Sequence, residues 1–110
     1  MNPVNLHSKL NDFQSMSKMD ALKWIKDIIH QTGYTLSDDM LLDLHYLDLC
    51  IHEKSSVFEA RKKAFLIHKK ARDAKDQNDV YMYRAIAHAI ATYHVKEHSL
   101  KSLYYLNKIR

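Results

Sequence analysis

The segment from Val80 to Ile109 carries the strongest apolar pattern in the chain. On a helical wheel Met82, Ile86, Ala89 and Tyr93 fall on one side and Ala87, Ala91, His94 and His98 on the other, leaving Arg84, His88 and Thr92 as a polar stripe. A helix that is apolar on two sides belongs between other helices. Ala85, Ala87, Ala89 and Ala91 are strong helix formers, small enough to let neighbouring backbones come close. The spacing predicts a central Ala-rich helix, opened by Asn78 as its cap. After it, the polar run Lys96, Glu97, His98, Ser99 predicts a break before a last helix with Leu100, Leu103, Tyr104, Leu106 and Ile109.

The upstream chain divides at local signals. Pro3, Leu6, Leu10 and Phe13 predict a short first helix. Ser17 stands as a cap before Lys18 to Thr32, where Ala21, Leu22, Trp24, Ile25, Ile28 and Ile29 gather on one side. Gly33 follows as a left-handed stop. Ser37 with Asp38 and Asp39 opens the next helix, whose stripe Met40, Leu44, Leu47, Ile51 and opposite side Leu42, Tyr46, Leu49, Cys50 predict an interior position. Ser56 and Glu59 form a capping-box pattern before a helix that should bury Val57, Ala60, Ala64, Ile67, Ala71 and Ala74, with Phe58 and Phe65 on a flank. The polar break at Asp76 to Asp79 is short, so this helix and the central one should form an antiparallel hairpin.

Composition sharpens the fold. One glycine and one proline in 110 residues are too few for the turns a sheet requires. The 46% apolar and 27% charged shares are those of a globular chain that folds unaided. The expectation is an all-α, single-domain bundle of about five to six helices over 1–110, with 1–16 as a loosely packed first helix. No apolar run approaches the ~20 residues that cross a bilayer, and no signal-peptide core precedes the first helix. Cys50 is the lone cysteine, so no internal disulfide can form, and a reducing, cytoplasmic setting is expected.

Candidate chemistry changes the picture little. Cys50 lies in an apolar helix, where thiols are inert. A single glycine cannot build a phosphate-cradling loop. No catalytic residue and no cofactor are expected. The chain has 8 histidines. His94 and His98 are four apart, which on one continuous helix would aim both the same way, and His88 precedes them, so metal binding through His88, His94 and His98 stands as one alternative. The plainer reading makes His68, His88, His94 and His98 structural, their polar atoms satisfied by the fold. His45, Asp48 and His52 share a stripe that reads as solvated surface.

Net charge is +4, from 17 Lys and Arg against 13 Asp and Glu. Arg61, Lys62, Lys63, Lys69, Lys70, Arg72 and Lys75 make one helix basic on its outside. That face is expected to be paired in part with Asp38, Asp39, Asp43 and Asp48. Weak nucleic-acid binding through 61–75 is a second alternative, though no helix-turn-helix pattern supports it. Tyr81, Tyr83, Tyr93, Tyr104 and Tyr105 crowd the C-terminal region, and tyrosine is favoured at protein interfaces.

The stretch EARKKAFLIHKKARDA followed by RAIAHAIATYHVKEHSLKSLYYLNKI resembles a family of small helical bacterial immunity proteins. The matching positions are His68, Ala71 and Arg72, then Ala85, His88, Ala89, Ala91, Thr92, His94, Val95 and His98, over about half the chain. Lys101 stands where that family tends to have glycine, and Tyr93 replaces a smaller residue. The resemblance implies an all-α fold and a non-enzymatic role in neutralising a partner protein toxin; it assigns no catalytic residue. Binding is expected to use Arg61, Lys62, Lys69 and Arg72 on the basic helix, or Tyr104 and Tyr105, in a monomer or homodimer.

Overall fold

The computed structural model describes residues 12–110, and every regular element among them is a helix. They are α1 (Lys18–Gln31), α2 (Asp38–Ile51), α3 (Val57–Asp73), α4 (Gln77–Ala91) and α5 (His98–Leu106). A helical stretch at 12–14 precedes them; the rest of the expected first helix, with Pro3, Leu6 and Leu10, lies outside the described residues.

Local chemistry sets most of the ends. Ser17 accepts from the Asp20 amide while the Asp20 carboxylate accepts from the Ser17 amide, a complete capping box. Ser37 and Ser56 accept from the amides of Met40 and Glu59. Gly33, at φ 74°, takes the left-handed conformation expected of it. The cap of α4 is Asp76, whose Oδ2 accepts from the Asp79 amide at 3.2 Å, rather than Asn78. Asn78 sits inside the first turn, where its amide clamps both the N–H and the carbonyl of Arg110.

The end of α2 has no glycine. Glu53 adopts φ 56°, and the amides of Glu53 and Lys54 return to the carbonyls of Cys50 and Leu49 at 3.1 and 2.7 Å. This is the Schellman arrangement with a side chain where glycine is favoured. Glu53→Gly should therefore raise the unfolding free energy by about 0.5–1 kcal/mol in urea denaturation; a fall would show that the Glu53 side chain stabilises the turn.

The central helix is α4, which packs against all four others. Met82, Ala85, Ile86, Ala87, Ala89 and Ile90 on it are all fully buried. Its small residues permit close approach: buried Ser102 of α5 donates to the Ala85 carbonyl at 2.6 Å. The expected polar stripe of α4 does not face solvent, since Thr92 is buried and Arg84 and His88 are half-buried against α3 and α5. The chain breaks after Ala91, as the polar run indicates, and restarts at His98. α5 lies against both α4 and α1.

α2 differs from expectation. It buries Met40, Leu44, Leu47 and Cys50, but Leu41, Leu42 and Leu49 are exposed. Its neighbours α1 and α4 leave the other side uncovered, so it is a peripheral helix and not an interior one.

Between α2 and α3 lies a charge network. Asp43 is 1% exposed, with Lys63 Nζ 3.0 Å from one carboxylate oxygen and Lys70 Nζ 2.8 Å from the other. Lys70 also holds Asp39 at 2.9 Å, and the Tyr83 hydroxyl donates to Asp39 at 2.8 Å.

Candidate functional site

The α3 helix turns its alanines inward. Ala60, Ala64, Ile67 and Ala71 pack toward α4 and are buried, bringing the two helices close. Val57 and Ala74 are only half-buried. Of its cations, Lys63 and Lys70 are drawn sideways onto Asp43 and Asp39. Arg61, Lys62, Lys69 and Arg72 remain exposed, and none pairs with a carboxylate of the described residues. The expected partial pairing is thus real, and it divides the basic face into a bound half and a free half. Asp48 belongs elsewhere, to Lys26 and His45.

The free half is not only basic. Phe58 is 72% exposed, Phe65 56% and Leu66 45%. Phe58, Lys62, Phe65, Lys69 and Arg72 recur at alternating spacings of four and three, which is one stripe of a helix. The Lys69 ammonium lies 5.1 Å from the Phe65 ring centroid. The phenylalanines read from sequence as a flank beside the core in fact point away from it.

The tyrosines differ in exposure. Tyr105 is half-buried and stacks on His88 with ring centroids 5.6 Å apart and planes 7° apart. Tyr104 is 50% exposed, 4.6 Å from the Lys108 ammonium, which also lies 5.7 Å from Tyr81. Tyr105 therefore reaches onto α4 and also meets Tyr104 at 5.3 Å and Tyr81 at 6.4 Å, linking the histidines to a surface cluster at the end of α5 to which exposed Tyr104 belongs.

Three of the motif histidines meet where α3, α4 and α5 join. His68 meets His88 edge-on with centroids 4.9 Å apart, and His88 lies over His98 at 5.4 Å with their Nδ1 atoms 3.2 Å apart. Arg84 lies 2.6 Å from His68 Nδ1. Because a guanidinium only donates, His68 must accept there and carry its proton on Nε2. In the His88–His98 pair one Nδ1 donates and the other accepts.

Burial, with the positive charges of Arg84 and Arg72, lowers His68 to a pKa of about 4. Burial, with its neighbouring histidines, Lys101 and Arg84, lowers His88 to about 3. His98 is lowered too, by burial and by Lys101. The trio is neutral at neutral pH.

His94 is not part of this group. The chain leaves α4 before it, so it sits exposed in the turn and does not share a face with His98. The set His88, His94, His98 is therefore not assembled, and no group of three or more His, Cys, Asp or Glu among the described residues could hold a metal ion. Cys50 is fully buried, and burial pushes its thiol up to about 11, which suppresses the nucleophilic thiolate.

On the far side of α2, exposed Leu41 and Leu42 line a groove of 660 Å³ rimmed by Lys26, Asp38, His45 and Asp48, a mixture of both signs. The α3 stripe differs in having one sign of charge and large aromatic rings.

Residues 11–110 match the family described as Imm-5 like putative immunity protein. The chain belongs to this family. The match spans all five helices, beyond the last three, which carried the sequence resemblance. Neither a curated protein nor a solved structure matches it. No helix of this Imm-5 like protein, among the described residues, is long and apolar enough to cross a membrane.

Proposed function

We propose that this Imm-5 like protein neutralises a protein toxin by binding it, without chemistry of its own, in the cytoplasm of the cell that makes it. The contact surface is the outer stripe of α3. Its support is the exposure of Phe58, Phe65 and Leu66 among cations that no carboxylate of the described residues neutralises. Large rings on a rigid helix supply contact area at low entropic cost, and aromatic and arginine side chains dominate binding energy at protein interfaces. Arg61, Lys62, Lys69 and Arg72 give the stripe a positive potential that steers an acidic partner. The toxin surface that fits is an apolar patch ringed by Asp and Glu. Tyr104 lies on a different cluster and contributes to the rim at most.

Co-expression with the toxin encoded beside this protein should restore growth, and pull-down should recover the pair. Phe65→Ala should weaken the complex about thirtyfold or more, the loss that corresponds to ~2 kcal/mol at a hot spot. Because the ring is exposed, thermal stability should change little. Loss of neither growth protection nor affinity in Phe58→Ala and Phe65→Ala would remove α3 as the contact surface. Binding to RNA or DNA that weakens steeply with salt, with no capture of the toxin, would favour the nucleic-acid reading instead.

A further inference from the structure

Arg84 is half-buried, and the only polar partner it has among the described residues is the uncharged His68. The guanidinium nitrogens that do not bond His68 are not sealed from solvent, so an anion arriving from water can meet them. The nearby carboxylates do not serve: Asp39 and Asp43 are taken by lysines and Tyr83 on the other flank of α3.

The charges that bear on His68 and His88 are all positive, coming from Arg84, Arg72, Lys101 and the other imidazoles. Only His98 has an acidic neighbour, Glu97. The junction lies beside the first turn of α5, whose dipole is positive there, and the last turn of α4, whose dipole is negative, so the side-chain cations set its sign. With its Nδ1 accepting from Arg84, His68 carries a donor N–H on Nε2, and in the His88–His98 pair the ring whose Nδ1 accepts likewise carries its N–H on Nε2.

We infer that the junction of His68, Arg84, His88 and His98 is an oxyanion-binding site, taking a carboxylate or phosphate group against the Arg84 guanidinium. Arg72 and Lys101 are close enough to add their positive charge at His68 and His88, and the imidazole N–H groups complete the donor set. The planar guanidinium suits a two-oxygen ligand, which it grips with parallel N–H bonds. The site shares Arg72 with the edge of the α3 stripe but none of its aromatic rings, and it does not rest on toxin binding.

Binding and protonation are linked. An anion among His68 and Arg72 of α3, Arg84 and His88 of α4, His94 and Glu97 of the turn, and His98, Lys101 and Tyr105 of α5 favours the imidazolium forms. Affinity therefore rises as pH falls toward the folded values of His68 and His88, by up to about tenfold per pH unit for each proton taken up.

The test is NMR of the full chain, following imidazole and guanidinium signals during titration with inorganic phosphate and, separately, acetate. Sodium chloride at matched ionic strength is the control. Saturable shifts at His68, His98 and Arg84 are expected. Arg84→Gln should weaken binding at least tenfold, Arg84→Lys less so, and the remote Lys23→Gln not at all. Saturation by acetate alone assigns a carboxylate ligand, and by phosphate alone a phosphate group. Shifts that never exceed those in chloride would overturn the inference, as would unchanged affinity in Arg84→Gln. The wild-type titration decides by itself if the Arg84 variants do not fold.

Discussion

Replacing Lys63 and Lys70 together by methionine is expected to lower the unfolding free energy by about 3–5 kcal/mol. Asp43 is 1% exposed, and each of its oxygens is held by one of these lysines. Methionine keeps much of the apolar stem of each lysine while removing the ammonium, so the loss isolates the charge. What remains is a buried carboxylate with neither counter-ion. Lys70 also anchors Asp39, whose carboxyl is held below the ordinary range by hydrogen bonds from Lys70 and Tyr83, so the double variant loosens α4 at Tyr83 as well. Either single substitution should cost much less, because the other lysine still neutralises Asp43. Asp43→Asn should also cost less, because the two lysine side chains are 30% and 36% exposed and can turn to water. Urea denaturation of the four variants gives the ranking. A double variant within about 1 kcal/mol of wild type would mean that Asp43 is not a buried charge in the folded protein.

The backbone plan was legible because its signals are local. Ser17, Ser37, Ser56 and Gly33 each act within four residues of themselves, and the structure places all four at helix ends. Asp76 and Asn78 are both good caps, and what separates them is a contact with Arg110 that spans the chain. No short window contains that information. The second apolar side of α2 failed as a sign of burial for a related reason. Leu42 and Leu49 of that side would be buried only if a further element covered them, and periodicity reports the face a helix could bury, not the neighbours available.

The candidate surface was half visible. Arg61, Lys62, Lys69 and Arg72 stand out by charge alone, and the structure leaves all four exposed. Phe58 and Phe65 share their stripe with Lys62 and Lys69, so the wheel already contained the signal that these rings face outward; aromatic identity concealed it. The histidine junction was open to inference in part. His68 and Arg84 lie eight residues to either side of Asp76, so an antiparallel hairpin brings them level. His98 joins only because the chain reverses between Ala91 and His98, a turn whose direction the residues there do not declare. Treating that stretch as continuous helix pairs His98 with His94, which the reversal separates.

That same junction should make the protein acid-sensitive well above the pH at which its carboxylates titrate. Burial lowers His68 to about 4 and His88 to about 3, against 6.5 for an ordinary imidazole, and lowers His98 as well. A depressed histidine pKa means that the unfolded chain binds protons the folded chain refuses. Stability is therefore full above about pH 6.5 and falls as the solution is acidified toward the folded values. The refusal has a geometric basis. A second proton on His68 would point at an Arg84 donor, and charging both His88 and His98 would set two Nδ1–H groups against each other at 3.2 Å. After allowance for the half-exposed rings, the loss between pH 7 and pH 5 should be about 2–3 kcal/mol. Asp39 and Asp48, held below the ordinary carboxylate range by their lysine hydrogen bonds, lose their contribution only below about pH 4, so the upper part of the histidine window, from about pH 6.5 to about 5, is free of them. Replacing His88 by phenylalanine keeps a ring between Tyr105 and His98 but removes the central titrating group. The slope of unfolding free energy against pH should then flatten by about one proton between pH 6.5 and 4.5. Urea denaturation at closely spaced pH values measures that slope, and an unchanged slope in His88→Phe would place the acid sensitivity elsewhere in the molecule.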